Sequence, residues 1–420
     1  MERYKEYKDS QNVFLREIPV GWNSVKMKYL FIERSEKNHP NEPMLSATQN
    51  EGVILQSKYK NRVVVVNKGF EGLKLVKVGD FVIHLRSFQG GIEYTYDQGI
   101  ISSAYTILKP RSHKNADYFK YLFKSTRFID MLKTCVTGIR EGQNINYSKL
   151  KQYFIPIPPL PEQRAIVSYL DVKCAKCDKL IAGNEKQITL LQELKQRIIA
   201  DAVTRGINKN VKHKKTNVSW LGEVPEYWEL MRNKSLLILT DEKVGNRKGI
   251  TLLSLTKQGV IVRELSEGKG KFPKDFNNYL IVNPNNVVFC LFDVDETPRT
   301  VGLVRKYGML TGAYTNFEVN EKLVLPEFIY YYYLQLDDVK GLRPYYTGLR
   351  KVVKTNTFLQ LRTPTPPLSE QRSIVSYINE KVSKIDLLTS KLQKEIEHLK
   401  EYKQRLISDV VTGQIKVCTE

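Results

Sequence analysis

Two stretches of the chain carry apolar residues at helical spacing. Beyond Pro158 these are Cys177, Leu180, Ile181, Ile188, Leu191, Leu194, Ile198 and Ala202; beyond Pro366 they are Ile385, Leu388, Leu392, Ile396, Leu399, Leu406 and Val410. Steps of mostly three and four residues place them on one stripe of an α-helix, long enough for a coiled-coil seam. The expected packing residues are Cys177, Ile181, Ile188, Leu191 and Ile198 in the first helix and Ile385, Leu388, Leu392, Ile396, Leu399 and Leu406 in the second. Roughly 40 residues at about 1.5 Å rise make a rod on the order of 60 Å. A rod cannot bury its own stripe, so each is the simplest partner for the other. The chain returns through a whole second globular region, which allows an antiparallel pair with the globular regions at opposite ends.

The regions before the rods are patterned differently, as short β-branched runs separated by Gly, Asn and Asp turns with one or two helices. Gly79–Ile83 and Asn285–Phe289 each predict a turn followed by a strand. The expected class is α+β, two globular domains alternating with two long helices that pair as an antiparallel coiled coil. Boundaries fall at 1–157, 158–207, 208–219, 220–365 and 366–420. The fixed φ of proline holds Ile155–Pro159 extended, so helix begins only after it. Pro161 suits a first helical turn, Ser369 an N-cap, and Glu162 and Glu370 complement the positive helix end.

The alternation of patterns is a duplication. Pro158–Ile207 aligns with Pro366–Ile415 without a gap, identical at 26 of 50 positions. Upstream the two copies keep only a frame: Ile18-Pro19 before Trp22 and Val224-Pro225 before Trp228, Leu45–Ile54 and Leu253–Ile261, Ala104-Tyr105-Thr106 and Ala313-Tyr314-Thr315. A basic loop precedes each rod, Thr137-Gly138-Ile139-Arg140 and Thr347-Gly348-Leu349-Arg350. Copies that pack on each other stay alike, and copies that read different things drift apart.

Charge adds a partner. The chain of 420 residues has a formal net charge of +21, which points to a polyanion, either nucleic acid or an anionic membrane surface. Residues 1–160 carry 25 Lys and Arg against 15 Asp and Glu, whereas 161–207 carry 8 against 6. The excess therefore precedes the rods, and no basic amphipathic helix of the membrane-surface kind accompanies it. With no long apolar run, a cytoplasmic protein is expected. Cys135, Cys174, Cys177, Cys290 and Cys418 are scattered and expected to be reduced. Asn208–Ser219, with Lys209, Lys212, Lys214 and Lys215, is expected to be an exposed linker, its charge solvated or set against phosphate.

Catalytic motifs do not appear. There is no Gly-x-x-x-x-Gly-Lys-Ser/Thr loop for ATP and no Asn/Asp-Pro-Pro-Tyr/Phe run. Asp293, Asp295 and Glu296 are either a metal cluster or a solvated turn, and no Lys or further carboxylate at nuclease-like spacing supports the metal. Zinc at Cys174 and Cys177 needs two more ligands, and the other copy has Val382 and Ile385 there.

With its two Pro-Pro-Leu-x-Glu-Gln-Arg-x-Ile-Val segments, each on a long helix behind a region opening Ile/Val-Pro-x-x-Trp, the chain resembles the specificity subunit of Type I restriction–modification systems. Leu45-Ser46-Ala47-Thr48 and Arg86–Gly91 are similar to members' target-recognition domains. The resemblance spans about residues 12–415 and implies two domains each reading half of a bipartite target in double-stranded DNA. It also implies a helix pair that holds them apart and docks two methyltransferase subunits, joined by restriction and translocase subunits. The resemblance further implies that S-adenosylmethionine, ATP and Mg2+ act on those partners, and no cofactor is expected in this chain.

Bases are read by Arg, Lys, Asn, Gln and small polar side chains on elements that enter the grooves. The first domain offers Thr48, Gln49, Asn50, Arg86, Ser87, Gln89, Arg140, Gln143 and Asn144. The second offers Thr256, Lys257, Gln258, Thr297, Arg299, Thr300, Arg350, Lys351 and Lys354. Because the sets differ, two different half-sites and an asymmetric target are expected. The competing expectations are a stand-alone nuclease and a coiled-coil scaffold with incidental basicity.

Overall fold

The computed structural model describes residues 2–49, 51–59, 69–112, 116–137, 144–218, 220–263 and 275–417. The class is α+β, with two strand-rich domains alternating with two long helices, α1 (Leu160–Arg205) and α2 (Leu368–Val411). The chain forms two compact units, Met1–Glu185 with Gln393–Glu420, and Lys186–Leu392. Each unit thus contains one domain, part of α1 and part of α2.

Each domain is built on a four-stranded antiparallel sheet of the same topology. In the first, β1 (Phe31–Arg34), β2 (Phe81–Ile83), β3 (Glu93–Tyr94) and β4 (Thr106–Pro110) lie in the order β1-β4-β2-β3. In the second, β5 (Leu237–Thr240), β6 (Val287–Phe289), β7 (Val301–Leu303) and β8 (Thr315–Val319) lie in the order β5-β8-β6-β7. Registers agree as well: Leu108 faces Glu33 and Phe81, and Phe317 faces Leu239 and Val287. Packing on these sheets is aromatic, with Phe81 edge-on to Phe31 and Phe123 in one domain and Phe289 against Phe317, Tyr333 and Phe358 in the other. The duplication therefore persists in topology where sequence identity has gone. It also reaches the expected linker: His213–Lys215 pairs with Glu223–Pro225 as Tyr7–Asp9 pairs with Glu17–Pro19.

The Pro-rich motif joins domain to helix through side chains. The Trp22 indole N–H donates to Glu162 Oε2 at 3.0 Å, and the Trp228 N–H to Glu370 Oε2 at 3.1 Å. The other carboxylate oxygen accepts from the Tyr4 hydroxyl in the first unit and from the Tyr227 hydroxyl in the second. Gln163 and Gln371 each reach back to the carbonyl of the first motif proline, Pro158 or Pro366. Both helices start at the leucine before Pro161 and Ser369, so Ser369 lies inside the first turn rather than at the N-cap. The glutamates face the positive helix end and also clamp the tryptophan that opens each domain.

Within each unit the two helices run antiparallel. In the first, Leu170 and Cys174 share a core with Leu406 and Val410, and Lys403 Nζ meets Asp178 at 2.6 Å. In the second, Ala202 and Ile199 share a core with Ile374 and Ile378, and Lys195 Nζ meets Asp386 at 2.7 Å. Lys195 is the repeat counterpart of Lys403, and Asp178 that of Asp386. Exposed pairs of this kind contribute at most about 1 kcal/mol each, so they fix register more than stability.

Leu388 does not belong to the seam. It is 49% exposed, and Leu180 and Leu194 are similar at 46% and 47%. Between Leu170 and Ile198 the buried and half-buried positions of α1 are Leu170, Cys174, Cys177, Ile181, Asn184, Ile188, Leu191, Lys195 and Ile198. Those of α2 between Val382 and Lys403 are Val382, Ile385, Thr389, Leu392, Ile396, Leu399 and Lys403. Both sets alternate steps of four and three throughout, the spacing of a heptad seam. Hydrophobicity alone selects Leu388 because Thr389, its polar neighbour, holds the seam position. Asn184, Lys195 and Lys403 are passed over for the same reason, although lysine stems bury readily while their ammonium groups reach water.

Among the described residues no His, Cys, Asp or Glu groups of three or more are placed to hold a metal. Cys174 and Cys177 are both 6% exposed, and burial pushes the Cys174 thiol up to about 11. Replacing them with the residues of the other copy, Cys174→Val with Cys177→Ile, is expected to shift stability by less than about 1.5 kcal/mol. In the native chain at pH 8 Cys174 is expected to resist alkylation, because the thiolate is the nucleophile; fast labelling in the folded state contradicts this assignment.

Candidate nucleic-acid interface

In the first domain two loops meet at one edge of the sheet. One is the turn joining Leu45–Thr48 to Gly52–Leu55, and the other is the Arg86–Gly90 segment between β2 and β3. Together they line a cavity of about 390 Å³ with Thr48, Gln49, Glu51, Tyr59, His84, Leu85, Arg86 and Tyr105. Gln49 and Gln89 are exposed and 3.5 Å apart, Nε2 to Oε1. A side chain at Gly90 would crowd Gln49, since a Cβ there would stand 3.3 Å from its Cγ.

The two loops are tied from beneath. The Lys124 ammonium donates to the Gln49 carbonyl at 3.1 Å, to the Gly90 carbonyl at 2.9 Å and to Glu93 Oε1 at 2.5 Å. Glu93 is fully buried on β3, and His84 Nε2 stands 3.6 Å from the same oxygen. His84 Nδ1 accepts from the Arg86 amide, and the His84 amide donates to Ser87 Oγ. Arg86 and Gln89 are thus displayed on backbone fixed by His84, Ser87, Glu93 and Lys124.

Several expected readers are committed elsewhere. The Thr48 and Thr256 hydroxyls close their hairpins by donating to Gly52 and Gly259 carbonyls and accepting the amides of Glu51 and Gln258. Ser87 is buried, and Thr297 donates to the Phe292 carbonyl. Arg299 pairs with Asp337 and Asp338, and the Thr300 amide donates to Asp337 Oδ2 at 3.0 Å. Lys351 meets Glu296 at 2.5 Å and Asp295 at 3.2 Å. Asp295 also accepts from Arg343 at 2.7 Å, and these hydrogen bonds, Arg343 first, hold its carboxyl below the usual range. Lys351 does the same for Glu296. The acidic residues there are neutralised by cations of the chain itself.

Exposed and available are Gln49, Arg86, Gln89, Asn144, Lys257, Gln258, Arg350 and Lys354. Asn50, Arg140 and Gln143 lie outside the described residues. Sequence reasoning missed Tyr59, His84 and Tyr105 at the cavity, because isolated aromatic residues carry no spacing signal.

A family model described as the Type I restriction modification DNA specificity domain matches residues 8–190 and 225–398. The chain belongs to this family. Its match falls twice, once on each copy. Among curated relatives it is 26% identical over 329 residues to the putative type I restriction enzyme MjaX specificity subunit of Methanocaldococcus jannaschii, covering 74% of this chain and 71% of that one. To the MjaVIII specificity subunit of the same organism it is 24% identical over 376 residues, covering 86% and 82%. A solved structure from work on complex assembly and conformational transition of the type I R-M system superposes with TM-score 0.69 at 15% identity, covering 95% of this chain and 99% of the other. The HsdS subunit from Thermoanaerobacter tengcongensis gives TM-score 0.51 at 14% identity, covering 95% and 98%. At such identities the structures support the fold, and the family match carries the membership. No helix among the described residues is long and apolar enough to cross a membrane.

Proposed function

We propose that this specificity-family chain is the DNA-sequence-recognition subunit of a Type I restriction–modification system, performing no catalytic step itself. The observation that carries this reading is one frame used twice with different exposed side chains. Directly after the hairpin threonine the first domain exposes Gln49 where the second exposes Lys257, and the loop that exposes Arg86 and Gln89 in the first carries the ion-paired Arg299 in the second. Arg and Lys favour guanine O6 and N7, whereas Gln pairs with adenine, so the two half-sites differ and the bipartite double-stranded target is asymmetric. The paired helices, alike in both copies, serve as the dock for two methyltransferase subunits, and restriction subunits join that complex. S-adenosylmethionine, ATP and Mg2+ act on those partners.

Mapping methylated bases in the host genome tests the reading. The expected result is two unlike half-sites separated by a fixed unread spacer; a palindrome overturns it. Incubating the purified chain with DNA and Mg2+ alone addresses the nuclease alternative, where cleavage would reverse the assignment.

A further inference from the structure

The loop Thr347–Val352 displays a leucine to solvent. Among the described residues Leu349 is the most exposed large hydrophobic side chain, at 103% of its reference area. The loop is not loose. Thr347 and Val352 exchange both backbone hydrogen bonds, at 2.9 and 3.1 Å, and the Lys351 amide closes a turn onto the Gly348 carbonyl at 3.1 Å. Gly348 at φ +75° and Lys351 at φ +44° take the left-handed conformation that the tight turn requires. Both flanks grip one carboxylate: Arg343 and Tyr346 before the turn and Lys351 after it all reach Asp295. Two backbone bonds, Asp293 to Arg350 and Val353 to Leu291, join the loop to the segment between β6 and β7. That segment is the counterpart of the Arg86–Gly90 loop in the first domain.

A hairpin held at so many points keeps its tip residue in water at a cost that a mobile loop would avoid. Arg350 beside it and Lys354 beyond it are exposed, with no ion pair among the described residues. The first copy carries Ile139 at the same place in its Thr-Gly-Ile-Arg run. An apolar tip on a rigid turn with cations beside it is the chemistry of a wedge that enters a groove and parts two stacked bases while the cations hold phosphate.

We infer that Leu349 is such a wedge, inserted at one base step of the half-site read by the second domain. The inference rests on the DNA-reading function proposed above. It adds a contact that senses stacking and deformability rather than base edges, so it favours easily unstacked pyrimidine–purine steps.

The test uses the full chain and a random-sequence duplex pool. Bound duplexes are selected and sequenced, and the enriched duplex is then remade with 2-aminopurine placed at each position in turn. A several-fold fluorescence rise on binding is expected at one step, reporting loss of stacking. Leu349→Ala should abolish that rise and weaken binding about tenfold or more, while Leu349→Met restores both and thermal melting stays unchanged. A flat scan with the wild-type chain, or an identical scan and affinity with Leu349→Ala, overturns the wedge and leaves DNA reading intact. Failure of the pool to enrich any sequence instead removes the DNA-reading function itself. If Leu349→Ala spares DNA binding but prevents co-purification with methyltransferase subunits, the loop serves a protein partner and the wedge is wrong.

Discussion

Lys124→Met should destabilise the first domain by about 3–5 kcal/mol, the cost of leaving a buried charge without its partner. Glu93 is fully buried and Lys124 only 27% exposed, so little water can replace the ammonium. The substitution keeps the apolar stem and removes three donors at once, which frees the Gln49 and Gly90 carbonyls along with Glu93. Both loops then lose their common anchor. In a duplex carrying both half-sites, discrimination against mismatches in one half should collapse, while the other half remains as selective as before. Denaturant unfolding and mismatch-resolved binding measure the two effects. If Lys124→Met lowers affinity equally for all sequences, the lysine holds phosphate and does not position the loops. A double variant, Lys124→Met with Glu93→Leu, should recover part of the lost stability because the orphaned charge is gone.

The second domain reaches the same end with different residues. The β3 position of Glu93, opposite Val82, corresponds to Gly302 opposite Val288. A Cβ at Gly302 would come within 2.6 Å of Leu255 and Val260, so apolar side chains fill that space. The buried carboxylate has moved to the helix Pro326–Asp338, where Asp337, 3% exposed, accepts from Arg299, Lys340 and the Thr300 amide. In both domains a buried carboxylate fixes the segment between the sheet's last two strands in its order. In the first domain the loops present carbonyl acceptors to an intervening ammonium, and in the second the loop presents donors directly to the carboxylate.

These differences explain what was legible in the sequence. The helices could be read because one stripe repeats in both copies with 26 of 50 residues kept. The seam itself was misplaced at Leu388, since polar Thr389, Asn184, Lys195 and Lys403 occupy positions that a hydrophobic search rejects. Strands such as Phe81–Ile83 and Val287–Phe289 followed from turn residues ahead of β-branched runs. The candidate loops follow from Gly with polar and basic residues, but which of their side chains are free does not. Arg299 and Lys351 look identical to free cations until the partners Asp337 and Glu296, 38 and 55 residues distant, are brought beside them. Long-range ion pairs leave no local pattern, whereas periodicity is local by nature.

Trp228→Ala should have the larger consequence for the second unit. The side chain is fully buried in a core with Leu236, Phe328, Ile374 and Ile378, and removing it costs about 3–5 kcal/mol through lost burial and the cavity left behind. It also orphans Glu370 Oε2, which faces the start of α2 and keeps only the Tyr227 bond at its other oxygen. Against a total stability of about 5–15 kcal/mol, this is enough to unfold a substantial share of the unit at moderate temperature. Glu370→Gln separates the two contributions, because an amide oxygen still accepts the indole N–H; it should cost about 1 kcal/mol. Trp22→Ala should act in the same way on the first unit through Glu162. The pair makes a crossed experiment: Trp22→Ala and Trp228→Ala are expected to abolish recognition of opposite half-sites. Melting of Trp228→Ala at the wild-type temperature would show that the tryptophan clamp is not what joins domain to helix. Loss of the same half-site in both variants would show that the two units do not read DNA separately.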